Sequence, residues 1–279
     1  MPKNMFGRKN RIEIKTPAQI QKMRKAGLVV GHTLERLRRE AAPGVTTNDL
    51  DRIAREELKS HGATSSFLGY YGYPAVICAS VNHEVVHGIP NDKQLQDGDI
   101  LSIDFGAIVD GWHGDAAISI EIGNCTPEVE RLSAVTKAAL WSGLSKAIVG
   151  NRLSDISNAV ETTIRSSGNY GILEEYVGHG IGSKMHMDPS VPNFGPAGQG
   201  PELIPGMALA IEPMVTLGER HVHTLEDNWT VVTDDNSWAS HWEHTVAITA
   251  EGPWVLTAID GGGQYFAAHG ISSPAIIGD

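Results

Sequence analysis

Four acidic residues stand in apolar stretches where a carboxylate is out of place. Asp104 interrupts Ile100-Leu101-Ser102-Ile103-Asp104-Phe105-Gly106, and Asp115 lies in the next extended run. Glu212 sits between Leu209-Ala210-Ile211 and Pro213-Met214-Val215, and Glu243 falls in Trp242-Glu243-His244-Thr245-Val246-Ala247-Ile248. His179 adds an imidazole within Gly178-His179-Gly180-Ile181-Gly182, where glycines let the backbone pack closely around it. Buried carboxylates repel one another and lose hydration, a cost of several kcal/mol unless a positive charge lies between them. A metal ion supplies that charge; the alternative is a set of surface acids on a solvated sheet face. Four carboxylates and one imidazole hold too much oxygen for a structural zinc site, which favours Cys and His. They suit two divalent ions of intermediate hardness (Co, Mn, Fe or Zn) bridged by carboxylates and a water. Two ions about 3.5–4 Å apart acidify such a water and clamp a tetrahedral intermediate, so the chemistry indicated is hydrolysis.

The elements that must carry these groups can be read from punctuation and apolar phase. Thr16-Pro17 opens a helix with Ile20, Met23, Leu28 and Leu34 at helical spacing, stopped by Ala42-Pro43-Gly44. Thr46-Thr47 leads a second helix through Leu50, Ile53 and Leu58 to Gly62. Tyr73 to Val81 reads as β. Asp99–Val109 and Trp112–Ile122 read as two strands around an Asp110-Gly111 turn. With those two residues as the loop, Asp104 faces Ala117, and Asp115 lies two residues further on the same face. Diagonal neighbours of this kind have Cα atoms about 7–8 Å apart, close enough for their side chains to converge.

Beyond Thr126-Pro127 the pattern returns. A helix runs to Ile148, Gly150 breaks it, and another spans about Ser154 to Ser166 before Gly168. At an offset of 106, Gly44 falls on Gly150, Asp49 on Asp155, Leu50 on Ile156, Leu58 on Ile164 and Gly62 on Gly168. Each half is thus two helices followed by strands. Met207–Thr216 reads as one further strand after Pro205-Gly206. Trp229–Thr233 and Ala239–Thr249 read as a pair around residues 234–237. The tail from Gly261, rich in Gly, Ala and Ser, is expected to be loosely ordered.

The order Asp104, Asp115, His179, Glu212, Glu243 resembles the methionine aminopeptidase family, in its bacterial-like short type I form (the A branch of peptidase family M24). Leu68-Gly69-Tyr70, Gly72-Tyr73-Pro74, Val86-His87-Gly88-Ile89-Pro90, Asp104-Phe105-Gly106, Gly114-Asp115, Ile211-Glu212-Pro213-Met214 and Glu243-His244-Thr245 match it too, over about residues 12 to 257. The resemblance implies an α/β (α+β) pita-bread fold of the creatinase/aminopeptidase kind, with pseudo-twofold halves around a central antiparallel sheet. The 106-residue echo supports that architecture independently. It implies that Asp104 and Asp115 hold one ion, that His179 and Glu212 join the other, and that Asp115 and Glu243 bridge. His87 would bond the substrate near its scissile nitrogen, His186 would polarise the scissile carbonyl, and Glu212 would also pass a proton to the leaving amine. Tyr70, Tyr73, Cys78, Met185 and Trp229, with His87 and His186, would contact the methionine substrate. A narrow pocket of aromatic and sulfur groups fits the long, polarizable side chain. Phe67 stands where the commoner pattern has cysteine, and Met185 where it often has phenylalanine, which bears on pocket shape and not on the reaction.

Aminopeptidase P and prolidase share the five ligands and cleave before proline, but usually carry a large N-terminal domain, for which a first helix near residue 17 leaves no room. Type II methionine aminopeptidases carry a long late insertion, whereas His186 to Glu212 spans only 26 residues here. A non-catalytic binding protein of the same fold would lack some of the ligands. The expected organisation is an N-terminal extension (1–11), one catalytic domain (12–258) and a tail (259–279).

Bulk properties agree. The 279 residues are 41% hydrophobic, with no apolar run long enough to span a bilayer and no secretory leader. Two cysteines are too few for a disulfide framework, so a reducing cytoplasm is expected. The net charge of −11 and the lack of a basic tract with interleaved aromatics argue against a specific nucleic-acid groove. Basic residues gather between Lys3 and Lys25, the one segment suited to a ribosomal RNA contact. The expected partners are nascent polypeptides with a free N-terminal methionine and the ribosome, and the expected state is a monomer.

Overall fold

The computed structural model describes residues 12–274. The expected extension at 1–11, which holds much of the basic N-terminal segment, lies outside the described residues.

Four long helices begin where the sequence places capping hydroxyls or their equivalents. Helix α1 (Pro17–Glu40) starts from Thr16, whose hydroxyl accepts from the Gln19 N–H while the Gln19 side chain accepts from the Thr16 N–H. Helix α2 (Thr47–Ser60) repeats this reciprocal cap with Thr46 and Asp49. Helix α3 (Pro127–Leu144) is capped by Thr126, and α4 (Leu153–Ser167) follows Arg152, whose N–H donates to Asp155.

The echo between halves extends to individual hydrogen bonds. Gly44 and Leu95 N–H groups bond Leu95 and Val45 carbonyls; Gly150 and Leu203 N–H groups bond Leu203 and Asn151 carbonyls. Asn48 bonds Asn91 as Ser154 bonds Gln199. Gly44 and Gly150 both hold positive φ, 90° and 89°, the conformation that lets each chain reverse into the following helix. The partners Asn91 and Gln199, like Leu95 and Leu203, stand 108 apart, and the same step carries Asp104 onto Glu212. The two halves therefore contribute corresponding acids to one centre.

All strand pairings among the described residues are antiparallel and fall into four groups. The first half supplies Thr64–Ser65, Ile77–Val81, Ile100–Val109 and Trp112–Glu121. The second supplies Gly178–Gly180, Met187–Val191, Ala208–Ile211, His244–Thr249 and Gly252–Val255. The Asp110-Gly111 hairpin has the expected register, with Asp104 opposite Ala117 and Gly106 opposite Asp115. The two large groups meet where Ala117 and Glu243 exchange backbone hydrogen bonds of 2.9 and 3.3 Å. Helix α1 lies directly on this junction. A Cβ on Gly27 would come within 2.1 Å of the Leu256 carbonyl oxygen, and one on Gly114 within 2.8 Å of the Gly27 nitrogen. Gly114 is thus required beside Asp115 for a backbone-to-backbone approach, not for a turn.

Three sequence expectations are corrected. Met207–Thr216 is not one strand: Ala208–Ile211 and Met214–Thr216 belong to different groups, divided at Glu212-Pro213, because proline cannot donate to a continuing ladder. Ala239–Thr249 is likewise divided into Ala239–His241 and His244–Thr249. Val231–Thr233 does not pair with it but lies between Val222–Thr224 and Glu84–Val86. The segment past Gly261 is not loose throughout: Gly263–Ala268 forms a short helix α5 whose Phe266 is fully buried in the main core.

Candidate metal centre and substrate cleft

A row of side chains crosses the junction of the two large sheets. Cys78 opposes Asp104, Asp104 opposes Ala117, and Ala117 exchanges hydrogen bonds with Glu243. Directly opposed residues of antiparallel strands share a face, so this row delivers two carboxylates with a small alanine between them. Asp115, two residues from Ala117, reaches the same face. From the second half, His179 opposes Ala210 and Ala210 opposes Thr245, and Glu212 and Glu243 each lie two residues from these positions. The division of both strands at Glu212 and Glu243 is therefore where the acids enter the centre.

The backbone around these groups is pinned. The Thr245 hydroxyl accepts from the Asp115 N–H at 3.1 Å and donates to the Asp115 carbonyl at 2.8 Å. Gly178 and Gly180 flank His179 where a Cβ would meet the carbonyl oxygens of Ala210 at 2.3 Å and Asp188 at 2.1 Å. The Asn193 side chain donates to the Glu212 carbonyl at 3.1 Å.

Ligand atoms of Asp115, His179 and Glu243 lie within 4.8 Å of one another, as do those of Glu212, His241 and Glu243. Glu243 is common to both groups, and the His179 Nε2 to Glu212 Oε1 separation of 3.6 Å joins them again. Asp104 belongs to neither tight group and flanks Asp115. Buried Asp104 Oδ1, Asp115 Oδ1, Glu243 Oε1 and His241 Nε2 have no hydrogen-bond partner among the described residues. Burial pushes all four carboxyls up: Asp115 to about 7, and Asp104, Glu212 and Glu243 well above the usual carboxylate range, with the neighbouring Asp115 charge adding to each of these three. Burial also pulls His179 down to about 3, so its imidazole is neutral and able to ligate. Unpaired buried oxygens converging with a neutral imidazole fit divalent cations, which satisfy the lone pairs and cancel the repulsion.

A cleft opens from this centre. Its walls include Tyr70, Tyr73, Cys78, His87, Met185, His186 and Trp229 together with Asp104, Asp115, His179, Glu212 and Glu243, so every sequence-selected residue lines one cavity. Phe67, Tyr73, Ala75, Cys78 and Met185 form a buried apolar cluster, with Tyr70, Ile89 and Trp229 packed against it. The Tyr73 hydroxyl lies 3.0 Å from the carbonyls of Ile77 and Gly88, which holds its ring edge-on to Trp229 at 5.0 Å. Burial pushes the Cys78 thiol up, keeping it neutral and part of this apolar wall.

His186 stands at the rim, its Nδ1 2.9 Å from the Tyr70 hydroxyl and its ring 4.3 Å from that of His179. His87 takes a positive φ of 61°, and its ring packs edge-on to Tyr176 and Trp229. A non-glycine residue in that conformation costs of order 1–3 kcal/mol and is retained where its surroundings fix it. Burial lowers His87 to about 4, so it is neutral.

Sequence reasoning left out Val86, Tyr176, Val177 and Met214, which also line the cleft, and His241. For His241 a signal existed: it lies two residues before Glu243, and alternation along an extended chain turns both to one face. Lys15 is buried, and Arg24 donates to the carbonyls of Leu256, Ala258 and Ile259, so neither is offered to a polyanion.

A model of metallopeptidase family M24 matches residues 21–250. The chain belongs to that family of metal-dependent peptidases. Within it, the chain is 50% identical to a methionine aminopeptidase of Clostridium perfringens over 89% of this chain and 99% of that one. It is 48% identical to methionine aminopeptidase 1 of Bacillus subtilis, over 88% and 98%. The crystal structure of the methionine aminopeptidase from Thermotoga maritima superposes with a TM-score of 0.87 at 42% identity, covering 89% of this chain and all of that one. Prolidase from Pyrococcus furiosus, 21% identical with a TM-score of 0.70, shares the pita-bread fold. No described helix is long and apolar enough to cross a membrane.

Proposed function

We propose that this chain removes the initiator methionine from the N-termini of new proteins when the second residue is small. The observation that carries the reading is a cleft with the five convergent metal-ligating groups at one wall and a closed apolar cluster of aromatic and sulfur side chains beside them. Relatives of nearly equal length at 48–50% identity bear the matching name.

Asp104, Asp115, His179, Glu212 and Glu243 would hold two divalent ions, drawn from Co, Mn, Fe or Zn, which supply Lewis acidity and an acidified water. The chain's own groups do the rest. The apolar cluster takes up the methionine side chain and excludes water from it. His87, neutral and fixed by its backbone, bonds the substrate beside the scissile nitrogen. His186, oriented by the Tyr70 hydroxyl, donates to the scissile carbonyl oxygen as negative charge develops there, an interaction worth about 3–4 kcal/mol in comparable sites. Glu212 receives a proton and returns it to the leaving amine. The work is done in the cytoplasm on nascent chains, by a monomer. Residues 1–11, with Lys22 and Lys25 exposed on α1, are the segment offered to the ribosome.

The test is cleavage of Met-Ala-Ser against Ala-Pro-Ala by metal-stripped protein resupplied with Co²⁺ or Mn²⁺. Methionine release only with metal, and no turnover of the proline peptide, is the expected result. Cleavage of the proline peptide instead would move the specificity to the aminopeptidase P type. Absence of turnover with any ion would overturn the assignment. Removal of residues 1–11 is expected to weaken co-sedimentation with ribosomes.

A further inference from the structure

Among the described residues, His241 is the buried group at this centre that the proposed chemistry does not use. It is 1% exposed, and its Nε2 has no hydrogen-bond partner there. That nitrogen lies 3.9 Å from Glu212 Oε2 and 3.9 Å from Glu243 Oε2. These separations exceed a hydrogen bond. They match two ligands sharing one ion, since ligand bonds of about 2.0–2.2 Å place ligand atoms about 3–4.4 Å apart. The pair His179 Nε2 and Glu212 Oε1 is 3.6 Å apart, in the same range.

The position is also built. The His241 N–H lies 3.1 Å from both the Ser102 and Ser119 hydroxyls, and Ser119 Oγ lies 3.1 Å from the His241 carbonyl. Ser119 is linked in turn to Ser102 at 2.9 Å and Ser240 at 2.8 Å. This buried serine cluster fixes the backbone from which the imidazole reaches the acids.

We infer that His241 is a sixth protein ligand of the metal centre, its Nε2 joining Glu212 and Glu243 on one ion. The centre then has two imidazoles, His179 and His241, one from each of two strands. The inference rests on the reading that this cleft holds divalent ions.

Paramagnetic proton NMR of the Co²⁺-loaded protein counts the ligands directly, because each imidazole bound through Nε2 contributes one solvent-exchangeable, hyperfine-shifted N–H resonance. Two such resonances are expected in the wild type, and one in each of His241→Gln and His179→Gln. Calorimetric titration of the stripped protein with Co²⁺ should show at least about tenfold weaker binding of one ion in His241→Gln. One exchangeable shifted resonance in the wild type, or a spectrum and affinities unchanged in His241→Gln, would overturn the inference while leaving the metal centre standing. That result would mean a water or a direct hydrogen bond occupies the gap. Failure of the wild type to bind Co²⁺ at all would sink both readings. Because the wild-type count stands alone, the test does not depend on the variant folding.

Discussion

Stripping the metal and then raising the pH should destabilise this protein, in a window the ionisable groups define. Asp115 moves from 3.8 to about 7 on folding, and one pKa unit is worth about 1.4 kcal/mol. Asp115 alone therefore costs the metal-free fold about 4 kcal/mol once the pH is well above 7. Its pKa is raised in the fold, so the unfolded chain releases the proton first. The stability it contributes is complete below about pH 4 and is lost as the pH rises through about 7. Asp104, Glu212 and Glu243, raised well above the usual range, extend the loss to higher pH.

The buried histidines act with the opposite sign. His179 and His241 fall to about 3 and His87 to about 4, so their contribution is complete above 6.5 and fades as the pH falls toward 3. Below 6.5 the two sets offset each other. Lys15, lowered to about 8, favours the fold as the pH rises beyond that value and closes the window at its upper end. Between pH 7 and 8 only the carboxyls remain. Each one still protonated in the fold then removes about 1.4 kcal/mol per pH unit. Urea unfolding of chelator-treated protein should show stability falling over that unit, by about 1.4 kcal/mol for each carboxyl that stays protonated in the fold. With Mn²⁺ or Co²⁺ in excess the slope should vanish, because bound ions keep the carboxylates ionised in the fold. A metal-free protein whose stability is flat or rising from pH 7 to 8 would refute the reasoning, as would an equal slope with metal present.

Other outcomes follow from single contacts. Thr245→Val keeps the shape but leaves the Asp115 N–H and C=O unpaired; a loss of about 2–4 kcal/mol in urea unfolding is expected, with weaker metal binding by calorimetry. Gly180→Ala drives a Cβ against the Asp188 carbonyl and displaces His179, so metal analysis of the purified variant should find fewer bound ions than in the wild type. On the proposed role of His186 as donor to the scissile carbonyl, His186→Ala should lower kcat on Met-Ala-Ser about 10²–10³-fold with metal content unchanged, since His186 is in neither group of candidate ligands.

The sequence by itself determined the parts governed by neighbours along the chain. Thr16 with Gln19 and Thr46 with Asp49 specify helix starts through contacts three residues apart, and they form as written. Asp110-Gly111 fixes a two-residue loop, and side-chain alternation then settles the register that sets Asp104 opposite Ala117. The echo of Gly44 in Gly150 revealed two halves, because both reversals take a positive φ that glycine adopts without strain. Acids in apolar runs betrayed the centre, since burying them without a cation is costly. Tertiary structure alone decided the rest. Local pattern does not say that the chain changes sheets at Glu212-Pro213 and again before Glu243, because strand partners are chosen by residues tens of positions away. That choice pairs Ala117 with Glu243, brings His241 against Glu212, and buries Lys15 and Arg24 that composition assigns to the surface. Long-range pairing puts two imidazoles and four carboxylates around one point, and no periodicity in the sequence encodes a distance between strands that are not yet paired.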